Sequence, residues 1–179
     1  MTVKLEDFSL RHFIPQFREF NTETKDNRER LIPYFWWARA TDFARFRFIL
    51  SGLIMEKLSR IMRDLPYNKK FIIRKNDAFA GIIGIDDVSQ NATRAEIWYF
   101  VTQQNEGHRI MPDALRQIEY FAQTKSIASI YARTARNNKK SQHMLARNGY
   151  EHYYPIKRGK EDYNKLMWYK SLNDKVIEK

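Results

Sequence analysis

Between Arg94 and Val101 the chain reads RAEIWYFV, and this octapeptide narrows the folds open to it. Ala95, Ile97, Tyr99 and Val101 alternate with Glu96, Trp98 and Phe100. A period of two marks a strand with two distinct faces, because successive side chains point to opposite sides of a sheet. A polar loop follows, and Pro112 then opens a helix, since proline is tolerated in a first helical turn and costly further in. Ala114, Leu115, Ile118, Phe121 and Ala122 share one stripe of that helix. A strand, a loop and an amphipathic helix in succession point to a sheet with helices packed on it.

The rest of the chain fits that frame. FSLRHF, Phe8 to Phe13, reads as a first strand. Residues 15–37 read as a helix or a pair of short helices ending in LIPYFWW. Phe43, Phe46, Leu50, Leu53, Ile54, Leu58, Ile61 and Leu65 recur at helical spacing, with Arg45, Glu56, Lys57, Arg60 and Arg63 between them, and Pro66 ends the helix. From Lys70 the character changes. FIIR, the turn-like KND and AFAGIIGID form a β-hairpin. SIYARTA is a further strand, and Asn138 to Asn148 is a short helix with Met144 and Leu145 inward and Gly149 just past its end. YEHYYPI and KLMWYKS close the chain as strands, and the tail 173–179 is expected to fray. The fold class is therefore α/β or α+β, with residues 1–179 as a single domain and no linker.

Composition excludes several chemistries. The chain has no Cys, so neither disulfides nor thiolate nucleophiles arise, and His12, His108, His143 and His152 lack metal-ligand spacing. No apolar run is long enough to span a membrane, and MTVKLEDF has no apolar signal core, which leaves the cytoplasm as the simplest compartment. The net charge of +11 suits a polyanion, a phosphate-bearing cofactor or an acidic protein, and equally an ordinary basic surface.

Charge is most pointed in QQNEGHRIMPDAL. His108 and Arg109 sit at a helix start that already carries partial positive charge and free N–H groups. Either they point into water or an anion belongs there. Gly107 would let that anion approach the backbone closely. A second helix repeats the pattern, with Arg136, Lys139 and Lys140 at the start of RNNKKSQHMLARNGY.

With these motifs in hand, the chain resembles the GNAT superfamily of N-acetyltransferases, and within it the ribosomal-protein N-terminal acetyltransferases of the RimJ/RimL type. The family's acyl-CoA signature is Gln/Arg-x-x-Gly-x-Gly/Ala. QNEGHR supplies Gln104 and Gly107 but has Arg109 where a small residue is expected. NKKSQHMLARNGY fits the second signature through Asn138, Ser141, Met144, Leu145, Gly149 and Tyr150. NRERLIPYFWW, GIIGIDDV and AEIWYFV resemble further segments, so the likeness covers residues 5–172.

The resemblance implies a mixed, mostly antiparallel sheet of about six or seven strands flanked by helices. Acetyl-CoA would lie in a V-shaped opening between the fourth and fifth strands. Backbone groups of Tyr99, Phe100 and Val101 would bond the pantetheine arm. N–H groups of Gly107, His108, Arg109, Ile110 and Met111 would hold the pyrophosphate, with Lys140 adding charge, and Asn138 and Ser141 would face the thioester. Acetyl would pass directly to a primary amine, with no metal.

The chemistry asks for a base to take the amine proton and a donor for the leaving thiolate. Glu96, on the strand beside the groove, is the base candidate; the alternative is a carboxylate paired with Arg94 or a neighbour. Many family members carry a tyrosine four residues after the serine, where this chain has Leu145. Ser141, or water held by it, is the substitute, unless it only caps the helix. Asp86 and Asp87 would draw a cationic amine or form a turn, and Tyr34, Phe35, Trp36 and Trp37 would wall an acceptor pocket or pack in the core.

By resemblance the acceptor is a protein N-terminal amine. A small amine, such as an antibiotic or polyamine, is the second reading. The third is a non-catalytic CoA-binding module, or one binding RNA or the ribosome through its basic surface. Monomer and homodimer remain equally open.

Overall fold

The computed structural model describes residues 2–61, 68–86, 93–153 and 165–173. Seven strands form one sheet: β1 (Val3–Asp7), β2 (Lys69–Lys75), β3 (Ala78–Asp86), β4 (Arg94–Val101), β5 (Ser129–Ala135), β6 (Glu151–Tyr153) and β7 (Lys165–Ser171). Their order is β1-β2-β3-β4-β5-β7-β6. β4 and β5 run parallel and every other pair is antiparallel. The helices are α1 (Phe13–Asp26), α2 (Arg28–Leu31), α3 (Asp42–Ile61), α4 (Ile110–Thr124) and α5 (Lys139–Arg147).

The alternation along the central strands decides which helices cover which face. Ile73, Ile83, Ile85, Ala95 and Ile97 pack with Ala114, Leu115 and Ile118 of α4 and with Leu145 of α5. Their neighbours in sequence, Ile72, Ile82 and Phe100, turn the other way, onto Phe20, Leu31, Trp37, Ile49 and Leu53 of the N-terminal helical layer. Fully burying one such side chain is worth about 1.5–3 kcal/mol, so both layers bind the sheet strongly. The β2–β3 turn places Asn76 and Asp77 at positive φ (48° and 67°), the geometry that asparagine and aspartate tolerate best.

Two expectations need correction. FSLRHF is not the first strand. The strand is VKLED just before it, where Leu5 pairs with Ile73 and Asp7 with Phe71. Leu10–His12 is a single 3-10 turn whose start Ser9 caps by accepting the His12 N–H, and Phe8 and Phe13 are drawn into the core under α3. Nor is α3 divided as its apolar spacing implies. Phe43, Ile54 and Leu58 are exposed, whereas Arg45 and Glu56 are buried. Polar groups tolerate burial when bonded: the Arg45 guanidinium donates to Ala40 O at 2.8 Å and Asn21 Oδ1 at 2.9 Å, and Glu56 accepts from Lys69 at 2.9 Å. Pro66, Leu65, Asp87, the end of YEHYYPI and the expected frayed tail beyond Asn173 lie outside the described residues.

Candidate active site

The site begins where two parallel strands stop pairing. β4 and β5 are in register from Arg94↔Ser129 to Ile97↔Ala132. Beyond that point Trp98 to Val101 pair only with β3, and Arg133 to Ala135 pair with β7. The facing strand edges part, and the backbone of Tyr99, Phe100 and Val101 borders the gap. An extended molecule entering there can add to the exposed edge as a short strand does.

Two helices begin at this opening. α4 starts at Ile110 after an N-cap, Arg109, held at φ 56° with no side-chain cap bond. Gly107 is also left-handed, at φ 79°, and a Cβ on it would meet nothing within 4 Å. The conformation and the open space together let a ligand approach the loop backbone. The N–H groups of Ile110 and Met111 have no preceding helical turn to bond, and Pro112 has no N–H at all. His108 and Arg109 are exposed beside them, as is Gln104. Burial of Thr102 and Asn105, bonded to each other at 2.8 Å, fixes the loop from beneath.

α5 starts with Asn138, whose Oδ1 accepts the Ser141 N–H at 3.2 Å. Ser141 is thereby set in the first turn, with its own hydroxyl left for other work. That hydroxyl lies 2.7 Å from the phenol oxygen of Tyr99. Burial pushes the Tyr99 pKa up, and the Ser141 hydrogen bond opposes this more weakly. The phenol is therefore protonated throughout the neutral range.

Glu106 joins the two helix starts. Its carboxylate receives Lys140 Nζ at 2.7 Å and Arg30 at 2.5 Å, and Arg30 also donates to Val101 O at 2.5 Å. Lys140, expected as a phosphate contact, is thus ion-paired to the loop that carries Gly107. A phosphate arriving at this loop would compete with the Glu106 carboxylate for the same ammonium.

Glu96 sits on the opposite face of β4 from the Tyr99 side chain, by strand alternation. Both its oxygens are held by Arg133 of β5, at 2.6 and 2.7 Å. The partner is therefore the neighbouring strand's arginine rather than Arg94. On the same face Tyr131 pairs in register with Glu96, and the rings of Tyr131, Tyr153 and Tyr169 cluster at 5.3–6.4 Å. The buried core of this face ends at β4. Half-exposed tyrosines and the Glu96–Arg133 pair occupy the part beyond it. The aromatic run 34–37 divides: Trp37 stacks on Phe35 at 4.8 Å within the core, while Tyr34 and Trp36 are exposed.

Sequence reasoning missed Arg30, Arg133, Glu106 and the Tyr99 hydroxyl. Arg30 and Arg133 carry no local signal, because their partners lie 76 and 37 residues away. Tyr99 did carry one. It shares the inward parity of Ala95 and Ile97, so its hydroxyl had to find a partner under the α4–α5 layer. Among the described residues no cluster of His, Cys, Asp or Glu could hold a metal, and no described helix is long and apolar enough to cross a membrane.

Comparison with known proteins agrees with this fold. The family model for the acetyltransferase (GNAT) domain matches residues 10–151. A ribosomal-protein-serine acetyltransferase of Escherichia coli (strain K12) is 28% identical over 91 residues, covering 50% of this chain and 51% of that protein. The chain thus spans about half the length of the curated relative it matches. RimL, a ribosomal L7/L12 alpha-N-protein acetyltransferase solved with coenzyme A, superposes with a TM-score of 0.77 at 15% identity, covering 96% of this chain and 94% of that one. The microcin C7 self-immunity acetyltransferase MccE, solved with acetyl-CoA and AMP, gives 0.76 at 15% identity, over 94% and 92%. The seven-stranded sheet flanked by helices is the arrangement these structures share.

Proposed function

The chain belongs to the acetyltransferase (GNAT) domain family, and from that premise we propose that it transfers acetyl from acetyl-CoA to a primary amine, the N-terminal amine of a protein. One observation carries this reading: β4 and β5 part beyond Ile97 and Ala132, and two helices begin at the gap, α4 with Arg109 as its N-cap and α5 with Lys139 and Lys140 in its first turn. The left-handed Gly107, with open space where a Cβ would stand, fits a pyrophosphate against the loop backbone. Gly107, His108, Arg109, Ile110 and Met111 would hold it, with Gln104 and Lys140 at the rim. Tyr99, Phe100 and Val101 would flank the pantetheine arm, and Asn138 and Ser141 would border the acyl end.

When bound, acetyl-CoA supplies an activated acyl group. This chain's residues orient the amine and move two protons. Glu96 takes the amine proton through water at a lone pair that Arg133 leaves free. Ser141 gives a proton to the departing sulfur. Both groups flank the gap, one from each face of the sheet, so an amine crossing it is already placed for attack.

The acceptor approaches from the face that bears Glu96, Tyr131, Tyr153 and Tyr169. A carboxylate beside clustered phenols suits a cationic amine with a peptide following it. The E. coli relative is named for serine, so a protein beginning with serine, ribosomal in origin, is the acceptor we propose. With such an acceptor the protein would work in the cytoplasm, and its basic surface would be available to ribosomal RNA.

The test is calorimetric titration with acetyl-CoA, followed by mass spectrometry of short peptides with free or blocked N-termini and of a polyamine. Acetylation of the free Ser-initiated peptides alone is expected. Acetylation of the polyamine alone would move the acceptor to small amines. Binding without any transfer would leave a CoA-binding module.

A further inference from the structure

We propose that Tyr99 recharges Ser141, so that the leaving thiolate draws its proton from a Tyr99–Ser141 relay. The proposal rests on the acetyltransferase reading above and assigns a side chain that the reading itself does not use.

The relay answers a gap in the site. Leu145, four residues past Ser141, is fully buried in the α4–α5 layer and offers no proton. Tyr99 reaches the same place from another element. It stands two positions beyond Ile97, the last β4 residue paired with β5, and so at the mouth of the opening. Its ring packs against the core that contains Leu145. Its phenol oxygen lies 2.7 Å from Ser141 Oγ.

Either hydroxyl of the pair can donate, and one of the two directions serves the reaction. A serine hydroxyl has one proton to donate and two lone pairs, and a phenol has one proton. The Ser141 backbone N–H is already spent on Asn138. If the phenol donates to Ser141 Oγ, the serine proton is free to point into the groove. In a short, partly buried chain of this kind each bond strengthens the next.

The balance is simple. The amine N–C bond forms and the acyl C–S bond breaks, with the C–S electron pair leaving on sulfur. Sulfur takes the Ser141 proton, and Ser141 takes the phenol proton as it does so. The amine's surplus proton leaves by way of Glu96 to water, and Tyr99 regains a proton from solvent. Tyr99 acts through Ser141 and is therefore a positioning residue. The groups around it are Tyr150, whose phenol is also buried and interacts with that of Tyr99, and behind it Glu119 of α4, which Lys170 of β7 holds at 2.7 Å. None of these reaches Ser141 by a hydrogen bond in the described residues.

Tyr99→Phe removes one oxygen and keeps the ring. It should lower kcat by roughly 10- to 100-fold, at or below the low end of direct general-acid contributions because it acts through Ser141, while KM and the calorimetric Kd for acetyl-CoA stay within about threefold. Ser141→Ala should lose a similar factor, and the double variant should lose no more than the worse single, because the two hydroxyls act as one unit. Ser141→Thr, which keeps a hydroxyl, should recover most of the rate. An acetyl thioester of a more acidic thiol, which needs less proton donation, should narrow the Tyr99→Phe deficit. Native kcat in folded Tyr99→Phe, or losses that multiply in the double variant, would overturn the relay while leaving the acetyltransferase reading intact. Should Tyr99→Phe not fold, the Ser141 pair decides: equal rates for Ala and Thr overturn the relay. A native chain that acetylates no amine overturns the reading and the relay together.

Discussion

The ammonium of Lys69 lies 2.9 Å from the carboxylate of Glu56, and both side chains are buried, at 4% and 8% exposure. Asp7 closes the cluster from the surface, also at 2.9 Å from Lys69. The pair ties α3 to the start of β2. Breaking a buried pair by removing one member costs about 3–5 kcal/mol, and the Asp7 contact that Lys69 keeps holds the loss of Glu56 to the low end, whereas replacing both with apolar groups of similar volume is close to neutral. Glu56→Ala should therefore destabilise the protein by about 3 kcal/mol. Glu56→Leu with Lys69→Met should recover most of it. Urea unfolding of the three variants checks this.

Glycines at two positions should respond differently to alanine. A Cβ on Gly81 would lie 2.2 Å from the carbonyl oxygen of Phe100, a backbone atom that cannot swing aside. Gly81→Ala must spread β3 from β4 and should cost about 3 kcal/mol or more. Gly107→Ala meets no atom, so only its left-handed backbone resists, at about 1 kcal/mol. It should instead show its main effect as weakened acetyl-CoA binding. Thermal melts with and without acetyl-CoA separate the two cases.

Arg109 occupies the left-handed N-cap of α4 at φ 56°. Arg109→Gly relieves that conformation and should raise stability by about 1 kcal/mol. The same change removes a cation from the proposed anion site, where one charge-assisted bond would be worth about 1.5–3 kcal/mol. We expect Arg109→Gly to melt higher and to bind acetyl-CoA about ten- to a hundredfold more weakly in calorimetry. Tighter binding would mean that the side chain obstructs the site.

Glu96→Gln should lower turnover by about 10²–10⁴-fold with acetyl-CoA affinity unchanged, as expected for a general base that touches no phosphate. The variant also loosens the Arg133 clamp, so its urea midpoint serves as the control. A wild-type rate with an unaltered acidic limb of the pH profile would transfer the role to another group.

Hydrogen bonding from Arg74 holds the Glu6 pKa below its ordinary 4.5, against the opposing effect of burial and with help from Gln16. A depressed carboxylate contributes its stability in full above the unfolded value and loses it as pH falls through the folded one. Native protein should therefore lose stability below about pH 4.5 more steeply than Glu6→Gln, and the two curves should converge in acid. Urea midpoints across the acid range measure it.

The hairpin from Lys69 to Asp86 was legible because its causes are local: two β-branched runs and an Asn-Asp pair at the turn. The start of α4, which holds Pro112 in its first turn, and the end of α5 just before Gly149, which sits at φ 79°, were legible for the same reason. The site was legible only as a set of motifs. Glu96 could be placed beside the groove, but its partner Arg133 lies 37 residues along, on a strand that only parallel pairing brings near.

Sequence alone determined periodicity, capping and turn chemistry, since those depend on residues within one or two turns of each other. Tertiary structure decided which of two competing stretches became β1, because pairing with β2 rewards VKLED and core burial rewards Phe8 and Phe13 in a turn. It also decided that Arg45 and Glu56 of α3 face inward, since each found a hydrogen-bonding partner on another segment. The same holds for Tyr99 and Ser141, which are 42 residues apart and meet only where β4 leaves β5. A polar side chain's fate depends on whether a partner is waiting across the fold, and one-dimensional spacing holds no record of that.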